Sequence, residues 1–563
     1  MSASLSKALG FYNAGQYDKA LGILSPARRQ PFGQNELLLI AQCYAKTEKF
    51  AEAAAFYIKA ADLGGPKQAM LRALAANMLQ EADDSFSSLN IARLAAKSGI
   101  FDTNAEETYR RYLHEFLCLD EAQMDDQRFL DRLKAGDERY LGAEFPHRHI
   151  GWCSDESINA RQTKIHDAVA FTQASRAARR AVPHSFSSRI RIGYLSADFS
   201  DQHATMRLFQ SALLQHDRDR FDISLFCCTG DDLIQLDNGS RSTYPGLQRI
   251  GHLSDQDAAA LIRRLGIDIL VDLKGHTKGS RAGLLNHGAA PIQVAYLGFP
   301  GSGTGIDCDY ILTDAVVTPE TSRPFYHEKF CLLPDSYQAN DNVGRPLPPA
   351  TPRSALGLPE GRIVFASFNA HRKIKPVTAE IWADILRKTD DSLLWVMCSN
   401  GFARDNLVCW MEKAGIAADR IIFTDPAAYP DHIARLQAAD IGLDTFPYNG
   451  HTTTSDKLWA GLPVPTFRGT HFASRVTESL LRALGVGELV ADTPECYVDL
   501  CVSLAENPGE LRAVKDKIAA QRMVAPLFDT TRFIRHLEKA FELMIERARN
   551  GQEPDHMAVP VIT

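Results

Sequence analysis

The sequence predicts an N-terminal α-helical repeat segment followed by an α/β region of two doubly wound parallel sheets. Three observations carry that expectation: a 33-residue period near the start, a switch at Arg189 to short apolar runs separated by helical stretches, and a second such series after a proline-rich break. At about 150 residues per domain, 563 residues allow roughly three or four domains.

The repeat comes first. Ala8, Phe11, Gly15, Tyr17, Ala20, Leu24 and Ala27 recur 33 positions later as Ala41, Tyr44, Glu48, Phe50, Ala53, Tyr57 and Ala60. Only Gly15 to Glu48 changes character. Small residues let paired helices approach and aromatics fill the gap, a tetratricopeptide-like pattern. Ala75, Phe86 and Ala92, then Tyr109, Phe116 and Phe129, extend it with a looser period, so residues 1–150 are assigned to helical repeats. Residues 151–188 read as a helical linker, with ARQTKIHDAVAFTQASRAARRAVP helical until Pro183 stops it.

Strand-like runs then alternate with helical ones. IRIGYLS, FDISLFCCT, IDILVDL, IQVAYLG, YILTD and KFCLLP make a first lobe over 189–345. The polar, proline-rich Asn340 to Pro352 separates it from a second lobe over 346–563, with IVFASF, LLWVMC, RIIFT, DIGLDTF and PVPTF. Strand–helix alternation implies parallel sheets, whose ligands bind beyond the carboxyl ends of the strands.

Composition narrows the class. With 62 Lys and Arg against 69 Asp and Glu, the net charge is −7, which argues against a polybasic nucleic-acid or membrane footprint. Eleven cysteines without CxxC spacing fit reduced thiols and a cytoplasmic setting. The adjacent Cys227 and Cys228 read as packing residues. The N-terminus has no continuous apolar stretch of a secretory signal, and no run approaches a membrane span.

Four segments carry candidate chemistry. In Leu443 to Phe467, the Asn449-Gly450 turn leads into His451, Thr452, Thr453 and Thr454, which open a helix to Ala460. Free amides and hydroxyls at a helix start suit a phosphate, and Gly450 lets the backbone come close to it. Asp456 lies one turn further in, where a carboxylate can accept from ribose hydroxyls. In Phe365 to Pro376, Lys373 follows a buried strand and suits a leaving diphosphate. His432 and Arg435, three apart, share a helix face on which imidazole and guanidinium suit a base. His203 follows the first strand of the first lobe, in place to act as a general base or to hydrogen-bond a substrate. The glycine-rich Phe299 to Gly305 is not followed by a helix and is no dinucleotide fingerprint.

At these residues the chain resembles the O-GlcNAc transferase family, in a form like its bacterial members. The matching strings are GYLSADF, HTKGSR, APIQ, LGFPG, DYILTD, RIIF, LDT, NGHTT, LWAG, ASRV and PDHM, spread over nearly all of 189–560. The resemblance implies tetratricopeptide repeats on a two-lobed GT-B region. It implies inverting, metal-independent transfer of N-acetylglucosamine from UDP-GlcNAc to Ser or Thr of proteins, with no cofactor. It makes His203 the proposed base and Lys373 the diphosphate partner. It sets His432 and Arg435 at the uracil, Ala427 as a backbone reader of uracil, His451, Thr452 and Thr453 at the phosphates, and Asp456 at the ribose. Its partners are a UDP-sugar and a protein or peptide acceptor guided by the repeats, with no nucleic acid and no membrane.

This chain departs from the family with Ala370 in place of Gln, Tyr429 in place of Lys, and one extra residue before His203. Asp307-Cys308-Asp309 has the form of a DxD metal signature, but a lone DxD is common and no metal is assigned to it. Two alternatives stay open: a related transferase using GDP-fucose or UDP-glucose, and a non-catalytic repeat scaffold that binds nucleotide.

Overall fold

The computed structural model describes residues 3–24, 32–162, 171–200, 203–234, 241 and 244–562. Ala27 of the first repeat and residues 163–170 of the expected linker helix lie outside the described residues. The chain divides into two compact units, Met1–Glu144 with Asn400–Trp410, and Phe145–Ser399 with Met411–Thr563.

The first unit holds the helices α1 (Ala3–Asn13), α2 (Tyr17–Leu24), α3 (Gln34–Lys46), α4 (Phe50–Asp62), α5 (Gln68–Glu81), α6 (Ser85–Ala96), α7 (Thr103–Glu115) and α8 (Leu119–Lys134). The small repeat positions Ala8, Ala20, Ala41, Ala53 and Ala60 are fully buried. The one position that broke the period has a backbone explanation. Gly15, Glu48, Asp83 and Leu117 each sit in the turn between paired helices, and all four take positive φ, at 72°, 57°, 59° and 53°. The turn keeps its left-handed conformation while the residue type drifts, and these residues mark the third and fourth repeats.

Asn400–Trp410 belongs to this unit, although the sequence places it in the second lobe. Phe402, Asn406 and Trp410 share one helix face by their spacing of four. Phe402 packs on Phe86 and Phe116, the Asn406 amide donates to the Phe116 carbonyl at 2.8 Å, and the Trp410 indole donates to Asp120 at 3.0 Å.

In the second unit the strands are β1 (Ile190–Ser196), β2 (Phe221–Cys227), β3 (Leu247–Arg249), β4 (Ile269–Asp272), β5 (Ile292–Ala295), β6 (Tyr310–Asp314), β7 (Lys329–Leu333), β8 (Val364–Ser367), β9 (Leu393–Met397), β10 (Ile421–Thr424), β11 (Ile441–Gly442), β12 (Thr466–Phe467), β13 (Val490–Ala491) and β14 (Met557–Ala558). Among the described residues the first sheet runs β14-β7-β6-β5-β4-β1-β2-β3 and the second β10-β9-β8-β11, with every pairing parallel; β12 and β13 form a short parallel pair. Both-face burial explains the continuous apolar runs of β4, β6 and β8.

One feature differs from the expected layout. The helix Thr530–Arg549 and β14 fall within the expected second lobe, 346–563, but join the first sheet's side. Glu538 meets His216 at 3.0 Å, Arg532 meets Asp335 at 2.7 Å, and β14 pairs with β7. The proline-rich segment is braced at two points: the Trp459 indole donates to the Pro346 carbonyl at 2.9 Å and Gln437 to that of Pro348 at 2.8 Å.

The DxD aspartates are structural. Arg176 and Arg179 grip Asp307 at 2.8 and 2.7 Å, and Arg179 and Arg180 grip Asp309 at 2.7 and 2.6 Å. These arginines lie on the helix Gln173–Ala181, so the two carboxylates anchor it beside β6. No helix of the described residues is long and apolar enough to cross a membrane.

Candidate active site

Strand order places the site. In the first sheet β1 and β4 are neighbours, and the chain leaves β1 toward β2 but β4 toward β5, in opposite directions. In the second sheet β8 lies between β9 and β11, with the same reversal. Each reversal opens a crevice at the carboxyl strand ends. Asp198 and His203 follow β1, and Lys274 follows β4. Asn369 and Lys373 follow β8, and Asp444 to Thr453 follow β11.

On the second lobe, Asp444 organises the turn. Its buried carboxylate accepts from the amides of Gly450 at 2.8 Å and Thr445 at 2.9 Å, and from the Thr466 hydroxyl at 2.8 Å. Gly450 is required by crowding. A Cβ there would lie 2.4 Å from the Thr454 hydroxyl, 2.8 Å from that of Thr453 and 2.9 Å from Asn369 Oδ1. The helix Thr452–Trp459 starts as the sequence predicts, and its first intrahelical bond runs from the Ser455 amide to the His451 carbonyl. The amides of the first turn therefore precede the ladder and carry the partial positive charge of the helix start. Beside them, the Thr453 hydroxyl donates to Asn369 Oδ1, while the Asn369 Nδ2 group is buried with no hydrogen-bond partner.

Two lysines add charge. Lys373 is half-buried; its ammonium donates to the Asn449 carbonyl at 2.7 Å and lies 3.8 Å over the Tyr448 ring. Desolvation brings it down to about 7, against the opposing pull of Asp444. Lys457 is fully buried, donates to the Leu443 carbonyl at 2.9 Å, and is lowered to about 8 by burial. His451 donates through Nε2 to the Ala473 carbonyl at 3.2 Å, and burial holds its ring neutral.

The two residues expected at a base, His432 and Arg435, both lie on the helix Tyr429–Leu436. Arg435 donates to His432 Nδ1 at 3.1 Å, to the Asp425 carbonyl at 2.6 Å and to the Thr424 hydroxyl at 3.1 Å. Burial, with the Arg435 and Arg207 charges, takes His432 down to about 3, so the ring is neutral and carries its hydrogen on Nε2. Arg435 thus braces both His432 and the exposed loop that contains Ala427.

Asp456 is buried, and its Oδ1 accepts from the Tyr429 hydroxyl at 2.8 Å. Arg345 Nη2 stands 4.0 Å from that oxygen and has no hydrogen-bond partner. Tyr429 therefore occupies, with a neutral donor, the surroundings of the carboxylate expected at the ribose.

His203, from the first lobe, caps the helix Ala204–Leu214. Its Nδ1 accepts from the Thr205 amide at 3.3 Å, which leaves the hydrogen on Nε2, 3.5 Å from Asp198 Oδ1. Burial and neighbouring cations lower its pKa while Asp198 raises it. One turn along, Arg207 stacks on the Tyr429 ring at 4.3 Å and joins the lobes. His147 is a further junction residue. Its ring meets the Tyr448 hydroxyl at 3.3 Å, and burial with the charges of Lys373, Arg372, Arg148 and Lys274 lowers it to about 3.

The sequence has known relatives. The sequence matches the description "Glycosyl transferase family 41" over residues 158–345 and 347–537, more than half the chain. The chain belongs to glycosyl transferase family 41. The "Probable UDP-N-acetylglucosamine--peptide N-acetylglucosaminyltransferase SEC" of Arabidopsis thaliana is 35% identical over 377 residues, which is 66% of this chain and 38% of that protein. The "UDP-N-acetylglucosamine--peptide N-acetylglucosaminyltransferase" of Caenorhabditis elegans is 27% identical over 487 residues, 66% of this chain and 42% of that protein. The chain thus matches about 38–42% of the length of these relatives. The solved structure of a mutant O-GlcNAc transferase from Thermobaculum terrenum superposes with a TM-score of 0.68 at 24% identity and 98% coverage of both chains. That likeness shows the shared fold, helical repeats followed by a GT-B region.

Lys373, His451, Thr452 and Thr453 gather around the Tyr448–Gly450 turn. His432, Arg435 and Ala427 form a second group beside it, linked by Arg207, Tyr429 and Asp456. Sequence reading missed Asn369, Asp444, Lys457, Arg345, Arg207 and His147. Asp444 and Asn369 carry a usable signal, a polar residue directly after an apolar strand. The others are brought in by folding alone.

Proposed function

We propose that the chain transfers N-acetylglucosamine from UDP-GlcNAc to Ser or Thr hydroxyls of proteins, with inversion. The supporting observation is the arrangement around Asn449–Thr453, where the half-buried Lys373 ammonium and the free amides of a helix start stand together. When UDP leaves, charge grows on the β-phosphate, and fixed donors in a partly dry site stabilise it. In this reading Lys373 and those amides hold the diphosphate without a divalent ion, Asn369 Nδ2 donates to a donor oxygen, and Asp456 accepts from the ribose. His432 offers a neutral ring face to uracil while the backbone near Ala427 reads its edge.

The acceptor hydroxyl attacks the anomeric carbon from the side opposite UDP. His203 is engaged at both nitrogens, Nδ1 by the helix cap and Nε2 facing Asp198. That favours a role in orienting acceptor and sugar, with a donor phosphate oxygen taking the proton. The repeats present the acceptor, and the reduced cysteines fit a cytoplasmic enzyme.

The test is transfer of radiolabelled N-acetylglucosamine together with calorimetric titration of UDP and GDP. UDP binds and GDP does not, and Lys373→Ala abolishes transfer while the fold persists by circular dichroism. Near-normal transfer by Lys373→Ala defeats the leaving-group role, and preference for GDP defeats the donor assignment.

A further inference from the structure

Lys274 has no part in the chemistry described so far. It lies directly after β4, beside the reversal in strand order, and is 4% exposed. Its ammonium donates to both carboxylate oxygens of Asp198 at 2.7 Å. The loop that carries it is fixed from below, because the Lys274 and Gly275 amides donate to the two oxygens of Asp272 at 3.0 and 2.9 Å. Asp198 in turn is the carboxylate that faces His203 Nε2.

This arrangement has an electrostatic consequence. A carboxylate alone at 3.5 Å would favour imidazolium. Protonation would place a hydrogen on Nδ1, against the Thr205 amide that Nδ1 now accepts from, and would break the helix cap. A cation held on both oxygens of that carboxylate cancels most of its field at the ring. Among the described residues, the charged groups that act on His203 are Asp198 from the loop after β1, Lys274 from the loop after β4, Arg207 on its own helix, and Arg241. Asp198 is the one anion among these four.

We propose that Lys274, acting through Asp198, is a positioning residue that keeps the His203 imidazole neutral and seated as the cap of its helix. The catalytic consequence rests on the transferase reading above; the electrostatic one does not.

The experiment is a histidine-selective NMR titration of Lys274→Met and Lys274→Arg, with the pH dependence of kcat for transfer from UDP-GlcNAc. In Lys274→Met the His203 midpoint rises by about one pH unit or more, and the acid limb of kcat moves with it. The KM for UDP-GlcNAc stays within about twofold, since Lys274 lies on the other lobe from the donor groups. Lys274→Arg restores both midpoints. An unchanged His203 midpoint in Lys274→Met, or a loss of kcat equal at every pH, overturns the proposal. If Lys274→Met does not fold, Asp198→Asn serves: the His203 midpoint falls, and no movement overturns the proposal. A shifted midpoint in a chain that never transfers from UDP-GlcNAc upholds the pair and defeats the donor reading instead.

Discussion

Lys373 shows how one residue's surroundings set its chemistry. An ammonium that drops to about 7 through desolvation is only partly charged in the free protein near neutral pH. A diphosphate beside it favours the charged form. UDP binding should therefore take up protons between about pH 7 and 9, seen as a dependence of the calorimetric enthalpy on buffer ionisation heat. For the same reason kcat/KM should fall as pH rises through about 7, because the free enzyme loses the cation it needs. The limb of kcat should lie higher, because bound donor holds the proton on. Lys373→Ala should abolish the proton uptake. A proton balance identical in Lys373→Ala and the native chain would place the titrating group elsewhere.

Elements impose a different logic, in which backbone geometry outlasts residue identity. Glu48 is an exposed left-handed residue in a turn whose first-repeat counterpart is Gly15. Glu48→Gly should raise stability by up to about 1 kcal/mol, by removing Cβ strain at some cost in unfolded-chain entropy. Thermal unfolding checks it, and a drop in Tm would show that Glu48 is unstrained. In the turn before the helix Thr452–Trp459, Asp444→Ala should leave the Gly450 and Thr445 amides and the Thr466 hydroxyl unpaired. UDP affinity should then fall about tenfold or more in calorimetry. Unchanged affinity would mean that the turn holds itself.

Elements also mark what the sequence could reveal. Runs such as Ile269–Asp272 and Tyr310–Asp314 announce themselves because parallel strands are buried on both faces. β3, β13 and β14, of three, two and two residues, do not, because their pairing depends on neighbours distant in sequence. The site divides the same way. Lys373 and the turn through Thr453 sit at strand ends, where position alone points to a crevice. Arg345, Lys274 and His147 become site residues only through contacts that span the fold. Asp307 and Asp309 teach the converse: a motif read along the chain is neutralised by arginines on another segment.

At the scale of the whole molecule, the lobes of the second unit are joined by a few specific bridges. Arg207 reaches Tyr429, Ser479 donates to Asp314 at 2.7 Å, and Tyr337 packs edge-on to Phe472 at 4.8 Å. Arg207→Ala should therefore alter the response to donor without unfolding either lobe. The expected result is a loss of UDP affinity of about threefold to tenfold, with unchanged melting of the free protein. Equal affinity would make the stack incidental.

The return of the chain to its first sheet has a practical consequence. β14 lies at the edge of that sheet beside β7, where the Phe330 amide donates to His556 at 3.0 Å and the Val559 amide to the Leu332 carbonyl at 2.9 Å. A gene divided at the exposed Pro349–Ala350 bond would thus produce neither lobe whole. The first fragment would lack an edge strand and a covering helix, and the second would carry both with nothing to lay them on. Expressed together, the halves should find each other and copurify as one particle, a ready-made split enzyme whose reassembly reports on whether its two parts share a cell.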